Sequence, residues 1–117
     1  MSDKNPTIWI VNEAGHNYEK ALDLIPNGEL KPLTLGDVNP LRVDRLSQNL
    51  ARGIARYVRE SDYMLISGTP VLNAIALTLW MIQHRSCKLL QWNAKLREYE
   101  LSTITLDNFT RILDKEL

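Results

Sequence analysis

The sequence predicts a single α/β domain over residues 1–117, with helices packed on both faces of a mostly parallel sheet. Short runs of β-branched and aromatic residues alternate with segments whose apolar residues recur every three or four positions. Glycine and proline beside capping residues mark the junctions, as in strand-to-helix turns. The last two strands are separated by a few polar residues, which predicts a hairpin. The expected fold is therefore a small three-layer Rossmann-like domain with a C-terminal antiparallel hairpin and a terminal helix.

The first half of the chain contains two predicted strands separated by a short helix. The run TIWIVN, residues 7–12, has the composition of a buried strand, and apolar residues at helical spacing follow over 17–25. A Pro-Asn-Gly sequence ends that helix. The second strand, 30–34, contains Pro32 and is expected at a sheet edge, because proline donates no hydrogen bond to a neighbouring strand.

A longer helix is predicted from the N-cap Asn39 and the first helical residue Pro40 to about Arg59. Its apolar stripe recurs at spacings of three and four and consists of Val43, Leu46, Leu50, Ile54 and Tyr57.

The second half of the chain repeats the alternation and ends in the hairpin. A third strand, 62–67, leads into a helix over Pro70–His84 that carries few polar residues. Strands 87–92 and 97–104 follow, joined by the turn Asn-Ala-Lys, and a last amphipathic helix begins after them.

Composition excludes several classes of protein. Hydrophobic residues make up 44% of the chain, which is enough for one core, and no apolar run approaches the ~20 residues that cross a bilayer. Residues 1–6 are polar and have no signal-peptide core, and one cysteine allows no internal disulfide. We therefore expect a cytoplasmic protein without membrane contact.

The formal net charge is zero, which is unfavourable for binding long nucleic acid. Charge is nevertheless unevenly distributed: residues 42–97 hold nine basic and three acidic side chains, a local excess of six positive charges. This excess favours a small anionic ligand, although an ordinary mixed surface explains it equally well. With one cysteine and two distant histidines, the chain lacks the ligand spacing of a metal site, and no cofactor is expected.

The candidate site follows from a general property of open α/β sheets, which bind ligands beyond the carboxyl ends of their strands. Three loops reach that edge if the first strand lies between the second and the third. The first and second of these loops contain polar residues and glycines, namely Asn12, Glu13, Gly15, His16, Asn17, Tyr18 and Gly36.

The third loop, SGTPVLN, precedes the apolar helix. Gly68 would allow close approach of a ligand, Ser67 and Thr69 offer hydroxyl groups, and Asn73 lies one turn into the helix. The N–H groups and dipole of that helix favour an anion such as phosphate. The alternative is an ordinary strand-to-helix turn with Thr69 as cap and Pro70 as first residue. The spacing of a Walker loop is absent.

His16 is the candidate catalytic residue, since an imidazole in a loop can act as a general base or acid near neutral pH. It is otherwise a loop residue next to the cap Asn17, and Glu13 would either orient the imidazole or repel phosphate. Trp92 and Lys95 end the fourth strand at the same edge, where they could stack on a base and pair with a phosphate. A plain hairpin turn with Trp92 packed on the core is the alternative.

Two helical surfaces suggest partners. The helix Pro70–His84 is apolar nearly all round, which predicts a homodimer through it with Trp80 and Met81 as contacts, unless the C-terminal helix covers the same surface. The preceding helix carries a basic stripe, read as a solvated face or as the contact surface of an anionic partner, that consists of Arg45, Arg52, Arg56 and Arg59.

The loop NEAGHNY, the turn SGTPVLNAIA and the hairpin KLLQWNAKLREYEL resemble the small stand-alone CARF-type (CRISPR-associated Rossmann fold) proteins, which include ring nucleases. The resemblance implies a homodimer that binds a cyclic oligonucleotide across its two-fold axis and, in some members, cleaves it without metal through the ribose 2′-hydroxyl. Mapped onto this chain, it implies phosphate contacts from Ser67, Gly68, Thr69 and Asn73, base or ribose contacts from Asn12, Tyr18 and Lys95, and acid–base chemistry from His16.

The sequence thus leads to the hypothesis of a metal-independent ring nuclease that acts as an off-switch or a viral countermeasure in antiviral signalling. A protein that only sequesters a nucleotide signal is the first alternative, and an interaction domain without a small ligand is the second. An enzyme acting on a mononucleotide or nucleoside, with Glu13 as nucleophile, is the third.

Overall fold

A computed structural model describes residues 5–117. They form five strands, three α-helices and one 3₁₀ helix. In chain order these are β1 (Thr7–Ile10), the 3₁₀ helix (Glu19–Asp23), β2 (Glu29–Pro32), α1 (Val43–Tyr57), β3 (Tyr63–Leu65), α2 (Pro70–His84), β4 (Ser86–Asn93), β5 (Glu98–Thr105) and α3 (Leu106–Glu116).

The five strands form one sheet in the order β2-β1-β3-β4-β5. The first four are parallel, and β5 runs antiparallel to β4. The predicted α/β fold with a mostly parallel sheet and a terminal hairpin is therefore confirmed, as is the position of the Pro32 strand at the edge. Because β1 lies between β2 and β3, the strand order reverses at β1, and the loops after β1 and β3 leave the sheet side by side.

The sheet separates two apolar clusters, because alternate strand residues point to opposite faces. On one face α1 and α2 pack over Trp9, Met64 and Leu89. On the other face the third layer is thin: Tyr18 and the 3₁₀ helix cover Ile8, Ile10 and Leu65, among others. Leu46, Leu50 and Ile54 of the predicted α1 stripe are buried, whereas Val43 and Tyr57 at its ends are 44% and 63% exposed.

The start of α1 differs from the prediction. The helix begins at Val43, and Asn39 is not its cap: the Asn39 side-chain oxygen instead accepts a hydrogen bond from the backbone N–H of Leu41 at 3.0 Å. An asparagine side chain closes such a local turn as readily as it caps a helix. The segment predicted as a helix over residues 17–25 forms the 3₁₀ helix, Glu19–Asp23.

The environment of α2 corrects one predicted contact. Trp80 is 1% exposed and packs in the core cluster beneath α1 and α2, so it is not available to a second copy. Ile82 is 73% exposed, and Met81 is half-buried. The C-terminal helix α3 has no buried residue and leaves Phe109, among others, about half exposed.

A carboxylate without a predicted role lies within the protein between β1 and α1. Asp62 is 1% exposed and accepts hydrogen bonds from the N–H of Thr7 (2.9 Å), the indole N–H of Trp9 (2.9 Å) and the N–H of Arg59 (2.8 Å). The Arg59 guanidinium lies 3.1 Å from Oδ1 of Asp62, the oxygen that also accepts from Thr7. Burial opposes ionisation of Asp62, but these donors and the Arg59 charge outweigh burial and lower its pKa.

Cys87 lies in the core of β4, where burial raises the pKa of its thiol to about 12. A thiol in such surroundings is unreactive near neutral pH. Within the described part of the chain, no helix is long and apolar enough to span a membrane.

Candidate functional site

The polar loops predicted to converge do meet beyond the carboxyl ends of β1, β2 and β3. Glu13 forms an isolated parallel bridge with Leu35, which ties the loop after β1 to the loop after β2. On the other side, the Ser67 hydroxyl donates to the carbonyl oxygen of Asn12 at 2.8 Å, which ties the β1 loop to the β3 loop. The three segments therefore form one edge structure.

The hydroxyl groups of Tyr18 and Ser67 contact each other between these loops. The two hydroxyl oxygens are 3.1 Å apart, and the Tyr18 oxygen also lies 3.3 Å from the Asn12 carbonyl oxygen. The N–H of Ala14 donates to Tyr18 at 3.4 Å. Because Ser67 gives its single proton to Asn12, its oxygen remains able to accept one from Tyr18 or from a ligand.

Asn12 is buried, and its side chain is hydrogen-bonded within the protein. It is 7% exposed, and its side-chain N–H₂ donates to the carbonyl oxygen of Gly36 at 3.1 Å. The Thr34 hydroxyl lies 2.8 Å from the Asn12 side-chain oxygen and 2.7 Å from the carbonyl oxygen of Val11, and its one proton is shared between them. These contacts orient the Asn12 amide towards the β2 loop.

The predicted anion turn is held together by Asn73. Its N–H₂ group donates to the carbonyl oxygens of Ser67 (3.0 Å) and Thr69 (2.8 Å), and its oxygen accepts from the Ser67 N–H at 3.1 Å. Thr69 occupies the N-cap position of α2 without a side-chain capping bond, and Pro70 is the first helical residue as predicted. Both side-chain N–H donors of Asn73 are thus used within the protein.

Gly68 is required by packing within the edge. Its φ is +91°, and a Cβ added to it would lie 2.8 Å from the Cβ of Asn12. Gly68 therefore allows close approach of the loop that contains Asn12, whereas the sequence predicted close approach of a ligand. By contrast, Gly15 and Gly36 have φ of +88° and +69° with no atom within 4 Å of an added Cβ.

A cleft of about 440 Å³ opens beside this network. Its lining brings together five predicted residues and two others: His16, Asn17, Tyr18, Ser67 and Trp92, with Ile66 and Tyr99. We call it the aromatic cleft. The rings of Trp92 and Tyr99 meet edge to face with centroids 5.0 Å apart, and His16 meets Tyr18 in the same manner at 6.1 Å.

The remaining predicted residues lie around the cleft or away from it. Glu13 lines an adjoining depression of about 500 Å³ that shares His16, Asn17 and Tyr18 with the aromatic cleft. Asn12, Gly36, Gly68, Thr69 and Asn73 form the supporting loops, and Gly15 is exposed. Lys95 lies in the hairpin turn, where its N–H donates to Asn93, and it lines neither space.

Sequence reasoning missed Tyr99. It pairs with Trp92 across the hairpin, so both side chains project from the same face of the sheet. Burial and the neighbouring Tyr18 raise the pKa of Tyr99 above its ordinary value. In the sequence CKLLQWNAKLREYEL, Tyr99 could be placed opposite Trp92 only if the register of the hairpin were known.

The electrostatics of the cleft are mild. Among residues 5–117, no lysine or arginine lines the cleft. The side chains that line it carry aromatic rings, three hydroxyl groups, one amide, one imidazole and one aliphatic chain. Across residues 5–117, no three His, Cys, Asp or Glu side chains cluster closely enough to hold a metal ion.

The fold and this edge thus define a small α/β protein with an aromatic cleft at the strand-order reversal. Residues 6–106 match the family described as Phage Pam3 gp32-like protein, and the chain belongs to that family. No curated protein and no solved structure matches the chain.

Proposed function

We propose that this protein binds a nucleotide signal, a cyclic oligonucleotide, by holding one of its nucleotide units in the aromatic cleft. The observation that supports the proposal most strongly is the cleft itself, which joins Trp92 and Tyr99 to His16, Tyr18 and Ser67 at the carboxyl edge of the sheet. This is the edge where such folds bind nucleotides. Membership of a family named for a phage protein fits a countermeasure that removes a host signal.

The shape and chemistry of the cleft suit a base and its ribose. Trp92 is 43% exposed, so one part of its ring is open for stacking on a base while its edge is held by Tyr99. The volume of about 440 Å³ falls within the ~300–1,000 Å³ of ordinary small-molecule sites. The hydroxyl and amide groups of Ser67, Tyr18 and Asn17 supply hydrogen bonds for the ribose.

Sequestration agrees better with the geometry than cleavage does. Cleavage through a ribose hydroxyl requires groups that stabilise negative charge on the phosphate, and none of the described residues that line the cleft is cationic. Asn73, the amide expected to hold phosphate, already makes three hydrogen bonds within the protein. Cleavage is the second candidate, and it is favoured by the exposed His16 imidazole next to the cleft.

Incubation of the protein with cyclic di-, tri-, tetra- and hexanucleotides, followed by liquid chromatography and mass spectrometry, separates these functions. We expect one intact ligand to be retained and released on denaturation. Linear products with a cyclic phosphate would establish cleavage, which His16→Ala should then abolish. Intact ligands that remain free in solution would contradict both functions and favour the interaction domain.

Replacing Trp92 with alanine should weaken binding of the retained ligand by about 5- to 150-fold, because base–aromatic stacking contributes about 1–3 kcal/mol. Leu96→Ala is the matched control, since Leu96 is an exposed apolar residue of the same hairpin outside the cleft. Calorimetric titration measures both. Equal loss in the two variants would contradict stacking in the cleft.

We also propose that two copies associate through α2. Four of its five exposed residues recur every four positions and form one stripe along the helix, namely Pro70, Ala74, Thr78 and Ile82, and the fifth is Gln83 beside Ile82. Ile82→Glu is expected to convert the dimer to a monomer in light scattering, because it places a charge in an apolar interface. Leu41→Glu, at an exposed loop leucine, should leave the mass unchanged. A monomeric unmodified protein would contradict the proposal.

A further inference from the structure

A second cleft lies at the opposite edge of the sheet, where the parallel strands begin. Its volume is about 580 Å³, and it lies between the start of β2 and the segment that follows α1. Glu29 and Lys31 contribute one wall, and Arg56, Tyr57 and Arg59 contribute the other. We call it the basic cleft. None of its residues belongs to the aromatic cleft, so it is a separate structural feature.

Three cationic side chains converge on the basic cleft from two elements. Lys31 enters from the edge strand β2, and Arg56 and Arg59 enter from the end of α1 and the segment after it. A helix C-terminus favours cations through its dipole, which accounts for Arg56 alone. The dipole does not account for Lys31, which faces the end of α1 from strand β2. Lys31 and Arg59 also have carboxylate partners, Glu29 and Asp62, so Arg56 is the cation of the cleft that has no ion pair among the described residues.

One of these cations is held in a fixed orientation. The Nη2 atom of Arg59 donates to the carbonyl oxygen of Asn5 at 2.8 Å and lies 3.1 Å from the buried oxygen of Asp62. Both contacts use the same nitrogen, so the other guanidinium N–H groups remain able to donate to a ligand. Because the side chain is already ordered, an anion that binds it orders less of the protein on binding.

Glu29, the acidic residue of the cleft, forms only a weak ion pair. Glu29 pairs with Lys31 at 3.6 Å, and the two side chains are 64% and 52% exposed. An exposed pair of this kind contributes little, so a multiply charged anion can displace Glu29 from Lys31. Arg56 is exposed and forms no ion pair among the described residues, so its guanidinium is available to a ligand.

The geometry points to a site for a phosphate-bearing small molecule in the basic cleft, with Arg56 and Lys31 as its principal contacts and Arg59 as a fixed third donor. Guanidinium groups bind phosphate oxygens in a bidentate manner, and a lysine adds a point charge. This site is independent of nucleotide binding in the aromatic cleft.

Titration with pyrophosphate at constant ionic strength, followed by amide NMR shifts, tests the site. We expect saturable shifts at residues 29–31 and 56–59. Arg56→Gln should weaken binding by about tenfold, as expected for loss of charged hydrogen bonds. Lys31→Gln tests the opposite wall and should also weaken binding.

Arg52→Gln is the matched control, because Arg52 lies one turn earlier on α1, is exposed and does not line the cleft. It removes the same charge and should change the affinity less than twofold. If Arg52→Gln and Arg56→Gln weaken binding equally, pyrophosphate is attracted to the positive surface in general and not to a specific site. That result would overturn the proposal. Shifts that do not saturate, or that spread over the whole protein, would overturn it as well.

Discussion

Replacing Asp62 with alanine is expected to lower the free energy of unfolding by about 3–5 kcal/mol, because it removes the charged acceptor of three N–H groups, each of which costs about 1–3 kcal/mol when left unpaired. The variant leaves the N–H groups of Thr7 and Arg59 and the indole of Trp9 without their acceptor. Each of these donors is then buried without a partner or must admit water. Urea unfolding followed by far-ultraviolet circular dichroism measures the loss.

The pH dependence of this effect has a defined sign. The pKa of Asp62 is lowered in the folded protein, so its ionised form stabilises the fold at every pH above about 4, the ordinary value of an aspartate. That contribution disappears as the pH falls from about 4 through the lowered pKa. The stabilities of the unmodified protein and Asp62→Ala should therefore converge in acid. A difference that stays constant down to pH 2 would contradict the role of the charge.

Two further variants separate the charge from general effects. Asp37→Ala removes an exposed loop carboxylate and should change the stability by less than about 0.5 kcal/mol. Arg59→Gln removes the cationic partner but keeps the backbone N–H donor of residue 59, so it should cost less than Asp62→Ala. An equal or larger loss in Arg59→Gln would indicate that the ion pair, and not the set of N–H donors, dominates at Asp62.

The second large effect is expected at Gly68. An alanine there has an unfavourable positive φ, which costs about 1–2 kcal/mol, and its Cβ would lie 2.8 Å from the Cβ of Asn12. Relief of that overlap requires movement of a buried loop, which typically adds about 1–3 kcal/mol. We therefore expect Gly68→Ala to destabilise the protein by about 2–5 kcal/mol in the same urea assay.

Gly15→Ala is the matched control for backbone conformation. Its φ of +88° is nearly that of Gly68, but an added Cβ meets no atom within 4 Å. It should therefore show only the conformational cost. If the two variants lose the same stability, the contact between Gly68 and Asn12 does not matter. A selective loss at Gly68 would also predict weaker ligand binding, because Asn12 holds Ser67 at the aromatic cleft.

Local patterns were sufficient for the elements of the fold. Alternation of apolar runs with helical periodicity predicted the parallel sheet, and Pro32 predicted the edge strand, since both are properties of a few neighbouring residues. The start of α1 was predicted wrongly because Asn39 satisfies two competing local geometries. The Trp80 contact was wrong because a helix that is apolar all round does not reveal which side faces the sheet.

The position of the candidate site could be predicted from the sequence. Which of its side chains line the cleft and which bond within the protein could not. Its place followed from the general behaviour of parallel sheets, and His16, Asn17, Tyr18, Ser67 and Trp92 do line one cleft. Tyr99 was not predicted as a lining residue, because its place depends on the register of the hairpin.

The sequence by itself determined the order of strands and helices, the edge position of β2 and the edge of the sheet that carries polar loops, because these depend on spacing along a short stretch of chain. Only the tertiary structure decided which polar groups are engaged within the protein. Ser67 meets Asn12 across 55 positions, and Asp62 meets Thr7 across the same separation. Partners so distant in the chain are chosen by packing of the strands against one another. The same packing leaves Trp92 partly exposed, whereas both side-chain N–H donors of Asn73 are used within the protein.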